Sequence, residues 1–310
     1  MRNPALAGVF SNNYKISVYY RDQWNTITNP YQTILINGEY RFSLGKYSND
    51  YLSIGLLGYN DEAGDLSQKI SAFYGAINYN KSINEDYNSY LSFGFAGGYM
   101  QYSFDPSKAT FNNQFINGFF DPNNPSLENL PVPKMSLYDL GAGANYNFSL
   151  GESQESTFMF GVSGYHFTQP IFSYDRSYTY TQNIRFNVNA SMVTQLNENI
   201  VLQLHANYAK QGSYDELIGG ALIGWQSYEV LEEPTFQFYA GLLYRYQDAI
   251  IPIIKLKHDH LGIGLSYDVN TSTLKKASNA QGGFEITAFI TGNYPPGRGT
   301  TRKTVCPRFN

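Results

Sequence analysis

Residues 138–149 read Tyr-Asp-Leu-Gly-Ala-Gly-Ala-Asn-Tyr-Asn-Phe-Ser. Tyr138, Leu140, Ala142, Ala144, Tyr146 and Phe148 fall on one face of an extended chain; Asp139, Gly141, Gly143, Asn145, Asn147 and Ser149 fall on the other. Side chains alternate across a strand, so this period of two predicts a strand with one apolar and one polar face. The rule repeats along the chain. Asn183, Arg185, Asn187, Asn189 and Ser191 alternate with Ile184, Phe186, Val188 and Ala190. Ile34, Ile36, Tyr40 and Phe42 oppose Asn37, Glu39 and Arg41. The same holds for Phe236, Phe238, Ala240, Leu242 and Tyr244 against Gln237, Gly241 and Arg245, and for Phe284, Ile286 and Ala288 against Gly283, Glu285 and Thr287.

A soluble sandwich shows this alternation too, with its apolar face inward. Two features favour a membrane barrel. The segments run to roughly 9–14 residues, the length a tilted transmembrane strand needs. Their polar faces carry Gly, Asn, Gln and scattered charges of both signs, which suits a wet lumen better than a soluble exterior. Composition agrees: 16% of the 310 residues are aromatic, with 28 Tyr and 21 Phe, and only 15% are charged. Mean hydropathy is −0.37, and no apolar run approaches the length of a membrane helix. The net charge of −4 gives no field for nucleic acid.

About fourteen strands can be placed, centred near residues 18, 37, 54, 74, 95, 142, 160, 187, 204, 222, 240, 254, 264 and 286. The odd connections are the longer ones, as expected of a barrel with long outside loops, short periplasmic turns and both termini in the periplasm. The predicted fold is therefore an all-β, transmembrane antiparallel barrel with a polar lumen, over residues 1–290. Residues 104–133 hold five of the thirteen prolines and read as a structured extracellular loop. Residues 291–310 read as a basic periplasmic tail, with Arg298, Arg302, Lys303 and Arg308 as candidate partner contacts. No signal-peptide pattern opens the chain, so the export signal is expected to have been removed or to lie upstream of Met1.

No catalytic, cofactor or metal site is predicted. His258 and His260 flank Asp259 in an expected tight turn, but spacing supplies no third ligand. His205 falls on a polar face and is expected to hydrogen-bond its neighbours. The Gly-x-Gly pairs at 141–143 and 262–264 do not lead into helices, so they are strand positions and not phosphate loops. The one cysteine, Cys306, cannot form an internal disulfide. Candidate lumen or partner-contact residues are the inward charges Arg21, Glu39, Arg41, Asp139, Arg185, Arg245, Lys255, Lys257 and Glu285. They would line a pore, fill it with salt bridges, or present a docking surface. Trp24 and Trp225 are candidates for the interfacial aromatic girdle, against the outer-membrane lipid.

An ordered set of short motifs resembles the PorP/SprF family of outer-membrane proteins, associated with type IX secretion and gliding motility. They are Asn3-Pro4-Ala5-Leu6-Ala7-Gly8, Tyr20-Arg21-Asp22-Gln23-Trp24 and Tyr165-His166-Phe167-Thr168-Gln169-Pro170. Toward the end come Ser266-Tyr267-Asp268-Val269-Asn270, Gly282-Gly283-Phe284-Glu285-Ile286 and Cys306-Pro307-Arg308-Phe309. The resemblance implies a non-enzymatic barrel that supports export and surface anchoring of a secreted type IX substrate through its type-B C-terminal domain, together with other type IX or gliding components. The alternatives are an outer-membrane channel for small solutes and a structural motility component. The chain differs from the family pattern in starting almost on the first motif and in carrying Asn310 after the closing Phe309.

Overall fold

The computed structural model describes residues 2–25, 29–45, 48–84, 86–127, 133–151, 155–174, 179–228, 234–273 and 275–293. The chain forms a closed antiparallel barrel of fourteen strands. In chain order these are β1 (Tyr14–Gln23), β2 (Tyr31–Ser43), β3 (Tyr51–Ala63), β4 (Gln68–Asn84) and β5 (Ser89–Ser103). The two-residue strands β6 (Phe115–Ile116) and β7 (Phe119–Phe120) pair with each other outside the barrel. The barrel resumes with β8 (Lys134–Leu150), β9 (Ser156–Tyr165), β10 (Arg185–Gln195), β11 (Ile200–Gln211) and β12 (Tyr214–Ser227). It finishes with β13 (Phe236–Arg245), β14 (Ala249–His258), β15 (Leu261–Asn270) and β16 (Gln281–Gly292).

Each barrel strand pairs with the next, β5 passing directly to β8, and β16 closes on β1 with Tyr14 opposite Gly292 and Arg21 opposite Glu285. Closure leaves no unpaired edge, which a lipid-facing sheet requires. Most strands lie on their expected centres. Several are longer than expected: β4 and β8 each run 17 residues, extending the pairing beyond the length a tilted strand needs to cross lipid.

One end of the barrel carries the connections 104–133, 166–184 and 271–280; the other carries tight turns such as 196–199 and 259–260, together with the start of β1 and the end of β16. We call these the long-loop end and the short-turn end. The polarity of the wall is inverted relative to a soluble core. Ser53, Asn78, Asn80, Asn145 and Asn147 are fully buried, whereas Phe95 is 68% and Ile77 56% exposed. A continuous apolar outer surface of this kind would be a liability in water and is satisfied by hydrocarbon. In β8 the two faces separate as its sequence predicts, with Leu140 and Tyr138 outward and Asp139, Asn145 and Asn147 inside.

Candidate functional site

Residues 3–13 lie ahead of β1 and enter the lumen, where Pro4–Leu6 pack against β4, β5, β8 and β9. Pro4–Leu6 form one turn of 3-10 helix. Asn3 caps it, its Oδ1 accepting from the Ala5 amide at 2.8 Å, and proline suits the first position because its missing N–H would have no partner there. The same asparagine donates from Nδ2 to the carbonyls of Ala144 and Val162 at 3.2 and 3.3 Å and to Asn189 Oδ1 at 3.3 Å. From the facing wall, Asn78 Nδ2 donates to the carbonyls of Ala5 at 2.9 Å and Ala7 at 2.8 Å. Ser163 Oγ donates to the Arg2 carbonyl at 2.7 Å.

The wall is shaped for this segment. A Cβ on Gly94 would lie 2.3 Å from the Ala5 nitrogen, and one on Gly143 would lie 2.1 Å from Asn3 Oδ1. The chain then turns at Gly8, whose amide donates to Glu39 Oε2 at 2.7 Å. Arg41 donates to the Phe10 carbonyl at 2.5 Å, and its guanidinium lies 4.3 Å from the centre of the Tyr51 ring. Two of the predicted lumen charges, Glu39 and Arg41, therefore hold the N-terminal segment in place. This plug leans on the β4–β5–β8–β9 wall, where Ala7 packs with Ala76, Ala96 and Tyr165.

A second layer packs at the long-loop end. Connection 166–184 folds back so that Phe172 and Tyr174 pack on Met100, Tyr102 and Leu137. Phe172 meets Tyr102 edge-on at 4.9 Å, and Tyr174 meets Phe104 at 5.1 Å. Beneath it, the fully buried carboxylate of Asp139 accepts from the Tyr74 hydroxyl at 2.6 Å and lies 3.0 Å from His166 Nδ1. Burial raises the Tyr174 phenol above its ordinary pKa.

Across the mouth, Asp268 draws two guanidiniums together, Arg21 at 2.7 Å and Arg245 at 3.0 Å. Arg245 also reaches Asp248 at 2.8 Å and Glu216 at 3.4 Å, and Arg21 lies 3.7 Å from Glu285. Arg21, Arg245 and Glu285 thus meet in one network whose centre, Asp268, is absent from the set of inward charges expected from alternation. Arg185, the first residue of β10, is exposed at the rim, and Lys255 and Lys257 are half-buried on the wall opposite the plug.

Between the plug and strands β9–β13 lies a cavity of about 90 Å³ lined by Arg2, Leu6, Met159, Asn189, Ser191 and His205, among others. His205 faces the lumen as expected, and its Nε2 has no hydrogen-bond partner among the described residues. Ser191 Oγ and Asn207 Oδ1 are likewise unpartnered; a polar cavity of this size has room for water. His258 and His260 flank Asp259 in an exposed turn, and no group of three metal-ligating side chains converges among the described residues. Trp24 packs edge-on against Tyr31 at 5.1 Å at the long-loop rim, and Trp225 points outward near the other. Arg298, Arg302, Lys303, Cys306 and Arg308 lie outside the described residues.

At the short-turn end Asp50, just ahead of β3, receives Lys81 Nζ, the Tyr79 hydroxyl and the Ser82 amide, each at 2.9 Å. Burial alone would raise its pKa, but these three donors together hold the carboxyl below its ordinary value.

A closed barrel with an apolar outer band, polar interior and obstructed lumen defines an outer-membrane β-barrel. Solved barrels of similar shape include the toluene transporter TbuX of Ralstonia pickettii, with 7% identity, 95% of this chain and 93% of that one covered, and a TM-score of 0.54. A FadL homologue of Pseudomonas aeruginosa gives 11% identity, 93% and 92% coverage, and a TM-score of 0.53. At such identity the likeness is one of fold. No curated protein matches the chain in sequence. Residues 1–289 match the type IX secretion system membrane protein family PorP/SprF, and the chain belongs to that family.

Proposed function

We propose that this barrel supports export and cell-surface anchoring of a type IX substrate of the adhesin kind, engaged through its type-B C-terminal domain, and that it contributes to gliding motility. Its short-turn end and both termini face the periplasm, and the long-loop end meets the substrate outside. The barrel unit runs to the end of β16 at Gly292, two residues past the expected boundary, and the basic segment beyond it, through Arg298, Arg302, Lys303 and Arg308, contacts envelope components. The chemistry is binding, with no bond made or broken.

The observation that carries this reading beyond family membership is the occupied lumen. Asn3, Pro4 and Ala5 stand where a solute would pass, held by Asn78 and shaped against Gly94. The Arg21–Asp268–Arg245 network and the 166–184 cap add a second layer. A lumen obstructed by the chain's own N-terminal segment suits a scaffold more than a free channel. Arg21, Arg245 and Glu285 at the mouth serve as substrate contacts, while Glu39 and Arg41 serve the plug.

Disrupting expression of the chain should abolish surface display of one exported protein while general type IX secretion continues, and that protein should co-purify with the barrel from detergent extracts. Unchanged display of every exported protein would refute the reading. The rival reading, a solute channel, draws on the fold shared with the toluene transporter TbuX. It predicts solute uptake that depends on the chain and is indifferent to secreted proteins.

A further inference from the structure

The loop 104–133 ends in a feature that folding of the barrel does not require. Phe115-Ile116-Asn117-Gly118-Phe119-Phe120 forms a two-residue hairpin, Phe115 opposite Phe120 and Ile116 opposite Phe119. Asn117 and Gly118 have φ of 51° and 84°, the left-handed pair that an Asn-Gly hairpin turn needs. Directly paired residues share a face. The hairpin is therefore apolar on both faces, with Phe115 and Phe120 on one and Ile116 and Phe119 on the other. None is covered: Phe119 is 78% exposed, Phe115 53%, Ile116 47% and Phe120 42%.

So small a hairpin is marginal by itself, and the loop holds it with polar side chains. Gln114 accepts from the Phe111 amide at 3.0 Å and donates to the Asn124 carbonyl at 3.2 Å. Asn124 Nδ2 donates to the Asn113 carbonyl at 2.5 Å, and Asn113 Nδ2 donates to the carbonyls of Pro125 and Ser126. The loop thus fixes four large apolar side chains in solvent, ordered in advance of binding, which lowers the entropy cost of docking. Phe is among the residues enriched at protein interfaces.

We infer that the Phe115–Phe120 hairpin is a docking finger that inserts into an apolar cleft of an exported protein partner, the cleft closing on both hairpin faces. This rests on the secretion reading above. A lipid surface fits less well. Surface-binding segments join apolar residues such as Trp, Phe and Leu to a face rich in Lys and Arg. Residues 104–133 carry Asp105, Asp121 and Glu128 against Lys108 alone, the opposite of the basic face that an anionic lipid surface attracts. The partner's cleft should therefore be apolar with a neutral or basic rim.

The test places p-benzoylphenylalanine at position 119 in place of Phe119, and separately at Tyr214, an 83% exposed control at the start of β12, and irradiates intact cells. An adduct with one exported polypeptide from position 119, absent from the Tyr214 position, supports the inference. Lipid adducts alone, equal protein adducts from both positions, or no adduct from a correctly closed barrel overturn it. The double substitution Phe119→Ser, Phe120→Ser should weaken co-purification of that polypeptide by about thirtyfold or more in affinity, with heat-modifiable migration of the barrel unchanged; undiminished co-purification overturns the inference. If the wild-type chain co-purifies no exported protein at all, the secretion reading itself fails; co-purification without adducts from position 119 overturns the finger only.

Discussion

Replacing Asn78 by alanine should release the lumen plug locally while leaving the barrel closed. Asn78 is fully buried, and its amide donates to the Ala5 and Ala7 carbonyls at 2.9 and 2.8 Å. Losing it leaves two plug acceptors without their donor. A buried group so orphaned costs about 1–3 kcal/mol. Allowing for water entering the vacated space, the net loss is roughly 2–4 kcal/mol for the pair. At about 1.4 kcal/mol per tenfold, the population with residues 3–8 detached rises roughly 30- to 700-fold. Amide hydrogen exchange followed by mass spectrometry reads that opening directly, since protection reports local unfolding. Amides of residues 5–9 should exchange faster by that factor, and those of β11–β14 should be unchanged. Asn147→Ala, equally buried on β8 but without a hydrogen bond to the plug, should leave the plug amides as they were. Unchanged exchange in Asn78→Ala would refute the idea that this asparagine latches the plug.

Three further outcomes follow from the same geometry. Gly94→Val should displace the plug outright, because its Cβ would sit 2.3 Å from backbone atoms of Pro4 and Ala5 and no rotamer relieves that; protease sensitivity of the N-terminal segment in detergent is the readout. Asp268→Asn removes the carboxylate shared by Arg21 and Arg245. Discounted for the partly exposed arginines, the loss is about 2–3 kcal/mol and should lower the thermal midpoint of the detergent-solubilised barrel. Asp50 is held below its ordinary pKa of 3.8, so its contribution is full above that value and is lost as pH falls through the lower folded-state pKa; Asp50→Asn should remove that part of the acid destabilisation seen in melts below about pH 4.

The barrel was legible because its determinants are local. A period of two in segments such as 138–149 sets which side chains face lipid, and the asymmetry of loop lengths orders the strands. The plug was not legible as a plug. Asn3-Pro4-Ala5-Leu6-Ala7-Gly8 has no period, and its partners Asn78, Ala144 and Val162 lie 73 to 159 residues away. The one available signal was the run of lumen-facing glycines, Gly94, Gly143 and Gly161, on consecutive barrel strands, which makes room for another backbone. Glu39 and Arg41 could be placed inside from alternation, but alternation does not say that they bind the chain's own N-terminus. Asp268 was hidden for a different reason: Arg245 lies 23 residues away across β14, but Arg21 joins the pair only when β16 closes on β1. The Asn117-Gly118 hairpin was readable in principle from its turn residues, and the proline-rich loop around it obscured the signal.

Conductance in planar bilayers tests the occupied lumen most directly, comparing the purified full chain with a variant lacking residues 2–12. The full chain should insert without a steady open-channel current, and the truncated one, whose mouth retains only the 166–184 cap and the Arg21–Asp268–Arg245 network, should pass ions in frequent discrete steps. Equal, large and sustained conductance from both would contradict a barrel obstructed by its own N-terminal segment.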